Sequence, residues 1–209
     1  MSKGRRIDPL AGTMAPGWIR AYDVVARNRD IRGPRMKCLI ACALAFFAAT
    51  PALAALKVGD KAPDFSAPAT LGGREFKFHL ADALSKGPVV VYFYPAAFTT
   101  GCTVEAHEFA AAIPQYQALG ASVIGVSHDD IATLNKFSVS ECQSKFPVAA
   151  DGDRKIMKSY DATLGFFTSY ASRTSYVVTQ DGRIAFVYSN LDPDEHVSRT
   201  LKAIQGLRH

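Results

Sequence analysis

Apolar runs of strand length alternate with segments of helical period over most of this 209-residue chain. The clearest run, residues 88–94, is filled by β-branched and aromatic side chains, as is typical of a strand buried on both faces. Residues 103–119 instead repeat their apolar side chains at steps of three and four, which predicts a helix with one buried face. Pro114 lies inside that helix and predicts a kink or a break, because proline has no backbone N–H to donate.

The remaining elements follow the same alternation. A Gly-Gly pair at residues 72–73 between two short extended segments predicts an N-terminal hairpin. Asp129 or Asp130 suits the N-cap of a second long helix, and Asp194 suits the N-cap of the last one. Further strands are predicted at residues 122–126, 146–150, 174–179 and 184–188, with a short helix at residues 154–160. Strands that alternate with helices predict an α/β fold, with a mixed central sheet covered by helices on both faces.

The first 54 residues differ from the rest in charge. They hold nine Lys/Arg against three Asp/Glu, whereas the other 155 residues hold fifteen against sixteen. The basic character of the chain therefore belongs to this segment, and residues 55–209 have no positive excess that would indicate nucleic-acid binding. A domain of about 150 residues can bury a hydrophobic core of its own.

Residues 1–54 are predicted to be an N-terminal extension with a cleavable signal peptide. Lys37 precedes a twelve-residue apolar run, residues 38–49, and an Ala-Leu-Ala sequence follows shortly after it. A charged start, an apolar stretch too short to span a bilayer and a small-residue cleavage signal are typical of secreted proteins. We expect translation to start at Met36, the mature protein to begin at Ala55, and the product to be exported, to a bacterial periplasm.

Three other uses of this segment fit less well. The Arg-Arg pair at residues 5–6 lies too far from the apolar run for a twin-arginine signal, and a lipobox-like sequence at residues 39–42 has almost no apolar stretch before it. An uncleaved anchor would need about 20 apolar residues. Cys38 and Cys42 lie inside the apolar run and would leave with it, so no stable membrane association is expected after cleavage.

Cys102 follows the predicted buried strand at the point where the long helix begins. The first turn of a helix offers unpaired N–H groups and the positive end of the helix dipole, and both favour a thiolate over a thiol. The position therefore predicts an activated thiol. Cys142 is the other cysteine of residues 55–209, and two cysteines in an exported domain could instead form a static disulfide.

The spacing Pro95-x-x-x-Thr99-x-x-Cys102 resembles the active-site motif of the peroxiredoxins, and the flanking sequence is most similar to their peroxiredoxin Q (bacterioferritin comigratory protein) branch. The similarity covers nearly all of the chain after residue 55. It implies a thioredoxin fold and a thiol-dependent peroxidase that reduces hydrogen peroxide and organic hydroperoxides in antioxidant defence, without a cofactor. It also implies a dithiol, thioredoxin-like reductant and a monomer or weak homodimer.

The resemblance also implies a role for each residue of the site. Cys102 is expected to attack the peroxide while the hydroxyl of Thr99 and the amides of the first helical turn donate to the O–O bond. Arg173, before a predicted strand, is expected to reach the thiolate, and Glu105 to hold that arginine in place. Pro95 is expected to shield the sulfur from water. Without the resemblance, Thr99 would be interpreted as a helix cap and Arg173 as a solvated residue at a strand end.

The second, resolving cysteine does not match the family pattern. Peroxiredoxin Q proteins carry it five residues after the first cysteine, where this chain has His107, or in the next helix, at a position corresponding to Ser138. Cys142 lies one helical turn after Ser138 and is predicted to resolve the oxidised Cys102 through an intramolecular disulfide. We expect it to be exposed at a fraying helix end, where local unfolding is easy. If it cannot reach, the enzyme uses one cysteine and an outside thiol.

Other chemistries fit the sequence less well. A thiol–disulfide oxidoreductase of the same fold would be expected to carry a CxxC pair, and a metal site a CxxC or HExxH motif; the sequence contains neither. His107 and His128 match nothing in the motif and are expected at the surface. The sole tryptophan, Trp18, lies outside residues 55–209, which disfavours the glutathione peroxidases. A binding module without catalytic activity is the remaining alternative.

Overall fold

A computed structural model describes residues 56–165 and 167–207 of the chain. The predictions for residues 1–54, including the signal peptide, Met36, Cys38 and Cys42, lie outside these described residues. Within them, none of the helices has both the length and the apolar character needed to cross a membrane.

A seven-stranded mixed sheet lies at the centre of the described domain. The order across it is β2-β1-β5-β4-β3-β8-β9, and β4 pairs in parallel with both β3 and β5 while the other pairs are antiparallel. A separate two-stranded sheet is formed by β6 and β7. The strands are β1 (Ser66–Leu71), β2 (Arg74–His79), β3 (Val89–Phe93), β4 (Ser122–Ser127), β5 (Val148–Ala150), β6 (Thr163–Leu164), β7 (Phe167–Ala171), β8 (Thr174–Val178) and β9 (Ile184–Ser189). The predicted mixed sheet and N-terminal hairpin are confirmed.

Helices cover both faces of the sheet, as the fully apolar central strand requires. In β3, Val91 and Phe93 point into one apolar cluster together with residues of α1 and α4, whereas Val90 and Tyr92 point into a second one with residues of α2, α3 and α5. Because strand side chains alternate between faces, one run of β-branched and aromatic residues supplies both clusters. The helices are α1 (Leu80–Leu84), α2 (Thr100–Ala118), α3 (Ile131–Ser140), α4 (Lys155–Ser159) and α5 (His196–Gly206).

Helix α2 runs through Pro114, so the break that was one of the two predicted outcomes is absent, and Ile113 and Tyr116 beside the proline are buried. The predicted N-cap of the last helix is wrong. The N-cap of α5 is Glu195 and not Asp194, whose amide instead donates to Asp192 in the preceding loop. The N-cap of α3 is Asp130, one of the two predicted residues, with its carboxylate accepting the amide of Thr133 at 2.7 Å.

Candidate active site

Cys102 lies in the first turn of α2, directly after the loop that leaves the central strand. Its side chain is only 1% exposed. At this end of the helix the amide of Thr103 donates to the carbonyl of Thr99 at 2.9 Å. The amides of Gly101 and Cys102 precede that bond and have no acceptor inside the helix, so they can donate to a group bound next to the sulfur.

Thr99 and Pro95 lie at the two ends of the loop before α2. Thr99 is exposed at the N-cap position, but its hydroxyl donates to the carbonyl of Ala96 at 3.1 Å instead of capping the helix. Pro95 is half-buried, and its carbonyl accepts a 3.1 Å hydrogen bond from the ring Nδ1 of His128. His128, which the sequence places at the surface, is half-buried and also contacts the ring of Tyr170.

Asp129 holds this loop in place from the end of β4. Its Oδ2 accepts the amide of Ala97 at 2.8 Å and the hydroxyl of Ser127 at 2.7 Å. The neighbouring Phe98 has a φ of 62°, a left-handed conformation that is uncommon for an aromatic residue and needs such support. Sequence analysis considered Asp129 only as a helix cap, because an anchor whose partner is 32 residues away leaves no local pattern.

Arg173 reaches Cys102, as the family resemblance implies. It lies between β7 and β8, is 5% exposed, and its Nη2 is 3.6 Å from the Cys102 sulfur. Its Nη1 donates to the carboxylate of Glu105 on α2, and its Nε donates to the carbonyl of Leu191 at 2.9 Å. A guanidinium held at three points is rigid, so its charge is directed at the sulfur and at any anion that develops beside it.

Gly101 makes the contact between arginine and sulfur possible. A Cβ atom at this position would lie 2.9 Å from Nη2 of Arg173, closer than real Cβ contacts come. The arginine could move aside, since its guanidinium ends a flexible side chain, but it would then leave Cys102. The motif Pro95-x-x-x-Thr99-x-x-Cys102 leaves this position unspecified, and the structure supplies a physical reason for a glycine there.

Glu105 is fully buried one turn into α2. Burial raises the pKa of its carboxyl to about 8, while the charge and hydrogen bond of Arg173 oppose that shift. Its second oxygen, Oε1, lies 3.7 Å from Nδ1 of His196, a fully buried histidine in the first turn of α5. Sequence analysis did not single out His196, because more than ninety residues separate it from Cys102 and no motif marks it.

The structure places Cys142 in the same apolar cluster as Cys102, and both thiols are free. The prediction of an exposed Cys142 is wrong, because α3 ends at Ser140 and the chain then turns inward. The Cys142 amide donates to the carbonyl of Phe137 at 3.0 Å and the thiol is fully buried. Burial, together with the charge of Glu141, raises the pKa of the Cys142 thiol far above its ordinary value.

The turn that carries Cys142 is strained and is tied to α2. Gln143 and Ser144 have φ angles of 51° and 55°, in the left-handed region that non-glycine residues rarely adopt. The adjacent Glu141 accepts from Nε2 of His107 at 3.0 Å. His107 is exposed, as predicted, and it occupies one of the two positions that the family resemblance compares with a resolving cysteine.

Ser138, the other position compared with a resolving cysteine, has a structural role. It is fully buried, and its hydroxyl accepts the amide of Gly72 at 2.8 Å from the β1–β2 hairpin. Within residues 56–165 and 167–207 there is no group of three or more His, Cys, Asp or Glu side chains that could hold a metal ion.

Comparison with known proteins agrees with this geometry. A profile of the AhpC/TSA family matches residues 58–187, which contain all of the residues predicted for the site. The chain belongs to the AhpC/TSA family. The peroxiredoxin Q of rice (Oryza sativa subsp. japonica), named as chloroplastic, is 33% identical over 150 residues, which cover 71% of this chain and 67% of the rice protein. The predicted membership of the peroxiredoxins, and of their peroxiredoxin Q branch, is confirmed.

Solved peroxiredoxins share the fold. Peroxidoxin BcpB of Mycobacterium tuberculosis is 29% identical, with a TM-score of 0.67 over 74% of this chain and 99% of that one. PrxQ of Xylella fastidiosa, solved as a Cys-to-Ser mutant, is 23% identical, with a TM-score of 0.66 over 75% of this chain and 99% of that one. The predicted thioredoxin fold is confirmed, and membership of this family makes the chain a thiol-dependent peroxidase.

Proposed function

We propose that Cys102 is the peroxide-reducing cysteine of this peroxiredoxin. Its thiolate attacks one oxygen of a hydroperoxide, the O–O bond breaks, and the other oxygen leaves as hydroxide or alkoxide and takes up a proton. The sulfur is oxidised to a sulfenic acid and the hydroperoxide is reduced to water or an alcohol. The observation that carries this assignment is the contact of Arg173 with the Cys102 sulfur, 3.6 Å from Nη2, in a buried first helical turn.

The other predicted residues support this step. Arg173 stabilises the thiolate and the charge that develops on the leaving oxygen, and Glu105 keeps the guanidinium in place. Thr99 is exposed next to the helix start, so its hydroxyl can turn from Ala96 to a bound peroxide. Pro95, half-buried at the start of the loop, limits the access of water to the sulfur.

We assign the resolving role to Cys142. Its thiol condenses with the sulfenic acid of Cys102, a disulfide forms and water leaves, and a dithiol reductant then restores both thiols by exchange. Both sulfurs belong to one apolar cluster, which supports this pairing. A disulfide requires Cα atoms roughly 4.4–6.8 Å apart. We propose that the turn at residues 141–145 opens to reach this geometry, and its two left-handed residues lower the cost of doing so.

The substrate and reductant classes follow from this cycle: hydrogen peroxide and organic hydroperoxides are the substrates, and a thioredoxin-like dithiol protein is the reductant. From the family resemblance we further propose that the chain acts as a monomer or weak homodimer. The alternative, a thiol–disulfide oxidoreductase, has no support from the site, because Cys142 is buried and lies 40 positions from Cys102 in the sequence.

We also propose export with cleavage before Ala55, to a bacterial periplasm. The support is the charged start, the short apolar run and the small-residue signal of residues 37–54. The rice relative is named as chloroplastic, which is consistent with a targeted protein. N-terminal sequencing of protein from the native host should give Ala55, and an intact start at Met1 or Met36 would contradict export.

Consumption of hydrogen peroxide with dithiothreitol as the reductant tests the assignment of Cys102. The Cys102→Ser variant should lose turnover to below about 1% of the wild type while keeping its fold. Cys142→Ala is the matched control and should keep substantial turnover, because dithiothreitol can reduce the sulfenic acid directly. Substantial turnover by Cys102→Ser would place the nucleophile elsewhere.

A further inference from the structure

Strand β2 forms one edge of the central sheet, and among the described residues it pairs only with β1. Its residues Arg74–Lys77 are all exposed, and the aromatic side chain of Phe76 is 43% exposed. The opposite edge, β9, is partly covered by the segment before β1, because the amide of Gly59 donates to the carbonyl of Ile184 at 2.8 Å. An edge strand with free N–H and C=O groups and an exposed aromatic ring can pair with a strand of another chain.

The hairpin turn determines which backbone groups of β2 point outward. Gly72 and Gly73 have φ angles of 58° and 75°, as in the two-residue turns that join antiparallel strands. In such a turn the residues on either side, here Leu71 and Arg74, form a hydrogen-bonded pair. This pair sets the phase of the whole β1–β2 ladder, because hydrogen-bonded and non-hydrogen-bonded pairs alternate along it.

The alternation leaves the backbone groups of Glu75 and Lys77 at the open edge. Phe76 lies between them and directs its own N–H and C=O towards β1. Pro68 of β1 lies opposite Lys77, and a proline, which has no N–H, suits a pair that exchanges no hydrogen bonds. The open edge of β2 therefore offers the donors and acceptors of one acidic and one basic residue.

We propose that this edge is the interface of a homodimer, in which β2 pairs in antiparallel with β2 of a second copy of the chain. A two-fold axis passes beside Phe76, so each Phe76 lies opposite its own equivalent and the two seven-stranded sheets join into one. The proposal goes beyond the proposed function and does not rest on it. It concerns the far edge of the sheet from β3, the strand that leads to Cys102.

Backbone and side chains are complementary in this register. Glu75 of each copy lies opposite Lys77 of the other, and because both have outward backbone groups, each such pair exchanges two N–H···O=C bonds. Their opposite charges also face each other, with the Glu75 carboxylate held on the α3 side by Nδ2 of Asn135 at 2.7 Å. The two Phe76 rings meet at a non-hydrogen-bonded position, where facing side chains come closest.

Charge excludes the neighbouring registers. Sliding one strand by two residues keeps the outward groups paired, but it places Glu75 opposite Glu75 or Lys77 opposite Lys77, and like charges directly opposite are destabilising. Sliding it by one residue pairs outward groups with inward ones. A six-residue strand covers less than the roughly 1,600 Å² of a standard interface, so we expect a weak, concentration-dependent dimer.

Sedimentation equilibrium of the purified full chain over a range of concentrations tests the interface. The wild type should dimerise, and Glu75→Lys or Lys77→Glu should each raise the dissociation constant by about tenfold or more, because two attractive pairs become repulsive. The double variant Glu75→Lys/Lys77→Glu exchanges the two charges and should restore the wild-type dissociation constant. Lys202→Glu, an exposed residue of α5, is the matched control for net charge and should dimerise normally.

Two results would overturn the proposal. One is a wild-type chain that stays monomeric over the whole concentration range, which would mean that β2 is a solvated edge protected by its charges. The other is a dimer that both single reversals leave unchanged, or that the double variant fails to restore, since the contact would then lie elsewhere.

Cross-linking tests the register independently of charge. The Cα atoms of a non-hydrogen-bonded antiparallel pair are about 4.5 Å apart, within the range of a disulfide, so Phe76→Cys should link two chains through position 76. Oxidised glutathione is the oxidant, and it takes up the two electrons and two protons that the paired thiols lose. Arg74→Cys is the control and should stay unlinked, because position 74 would lie about 13 Å from its equivalent. Absence of the link in Phe76→Cys, or equal linking by both variants, would contradict the register.

Discussion

At the scale of single residues, the site depends on one cation placed between two acids. Arg173 contacts the sulfur of Cys102 and the carboxylate of Glu105, and a third bond to the Leu191 carbonyl fixes its direction. The motif predicts the cysteine, but the role of the arginine came from resemblance alone, because Arg173 is 71 residues away. The geometry gives that role a physical basis.

The Arg173→Met variant should separate the two effects of the guanidinium. Alkylation by iodoacetamide needs only the thiolate, whereas attack on peroxide also needs a donor on the breaking O–O bond. We expect the peroxide rate to fall by about 100-fold or more and the alkylation rate to fall much less. Arg173→Lys, which keeps the charge, should be intermediate. If the peroxide rate and the alkylation rate fell by the same factor in Arg173→Met, the arginine would act only on the thiolate.

Gly101→Ala should reduce activity without a comparable loss of stability. The new methyl group would meet the end of the Arg173 side chain at 2.9 Å and displace it from the sulfur. We expect the peroxide rate to fall by about tenfold or more, while the free energy of unfolding changes by less than about 1 kcal/mol, because alanine is favoured over glycine in a helix. Gly152→Ala, with open space around it, is the matched control. Full activity in Gly101→Ala would show that the contact is dispensable.

At the scale of elements, the turn after α3 determines whether Cys142 can act. The sequence pattern predicted the helix and narrowed its cap to Asp129 or Asp130, because both features depend on neighbouring residues. It did not predict that the chain turns inward at Cys142, because that depends on the left-handed conformations of Gln143 and Ser144 and on packing in the cluster shared with Cys102. The two-stranded β6–β7 sheet was not predicted for the same reason, because its short strands depend on tertiary packing and leave no local sequence pattern.

The contact between His107 and Glu141 should slow the opening of this turn. It joins α2 to the residue beside Cys142 at 3.0 Å, and His107 is 48% exposed, so the contact contributes at most about 1 kcal/mol. His107→Ala should therefore speed Cys102–Cys142 disulfide formation by up to about fivefold after one equivalent of peroxide, measured by quenched alkylation and peptide mapping. Glu141→Gln should act in the same direction. Slower disulfide formation in both variants would contradict a restraining role.

At the scale of the whole molecule, two apolar layers on a mixed sheet hold the site in place. Composition and periodicity predicted this architecture well, because buried strands and amphipathic helices leave strong local patterns. The joining of Arg173, Glu105 and His196 could not be predicted in this way, since their contacts depend on how α5 and β8 pack against α2. The family resemblance supplied the contacts of Arg173 with Cys102 and with Glu105, and the position of His196 beside Glu105 was not predicted.

The packing of α2 on the sheet should dominate the stability of the domain. Phe109 is fully buried and stacks on Tyr92 with ring centroids 4.3 Å apart, in the layer that also holds Cys102. Phe109→Ala should lower the free energy of unfolding by about 3–5 kcal/mol, since it leaves a cavity in a rigid core. Denaturant titration measures this loss, with the exposed Val139→Ala as the control. A loss below 1 kcal/mol would mean that α2 is held by other contacts.

The central claim is that the sulfur of Cys102 is the atom that takes oxygen from the peroxide. Mass spectrometry of the reduced Cys142→Ala protein, mixed with one equivalent of hydrogen peroxide and a sulfenic-acid trap such as dimedone, tests it most directly. The account predicts that the dimedone adduct forms on Cys102 in the Cys142→Ala protein. When Arg173→Met is added to this variant, the same adduct should form much more slowly. Consumption of the peroxide with Cys102 left as a free thiol would contradict it.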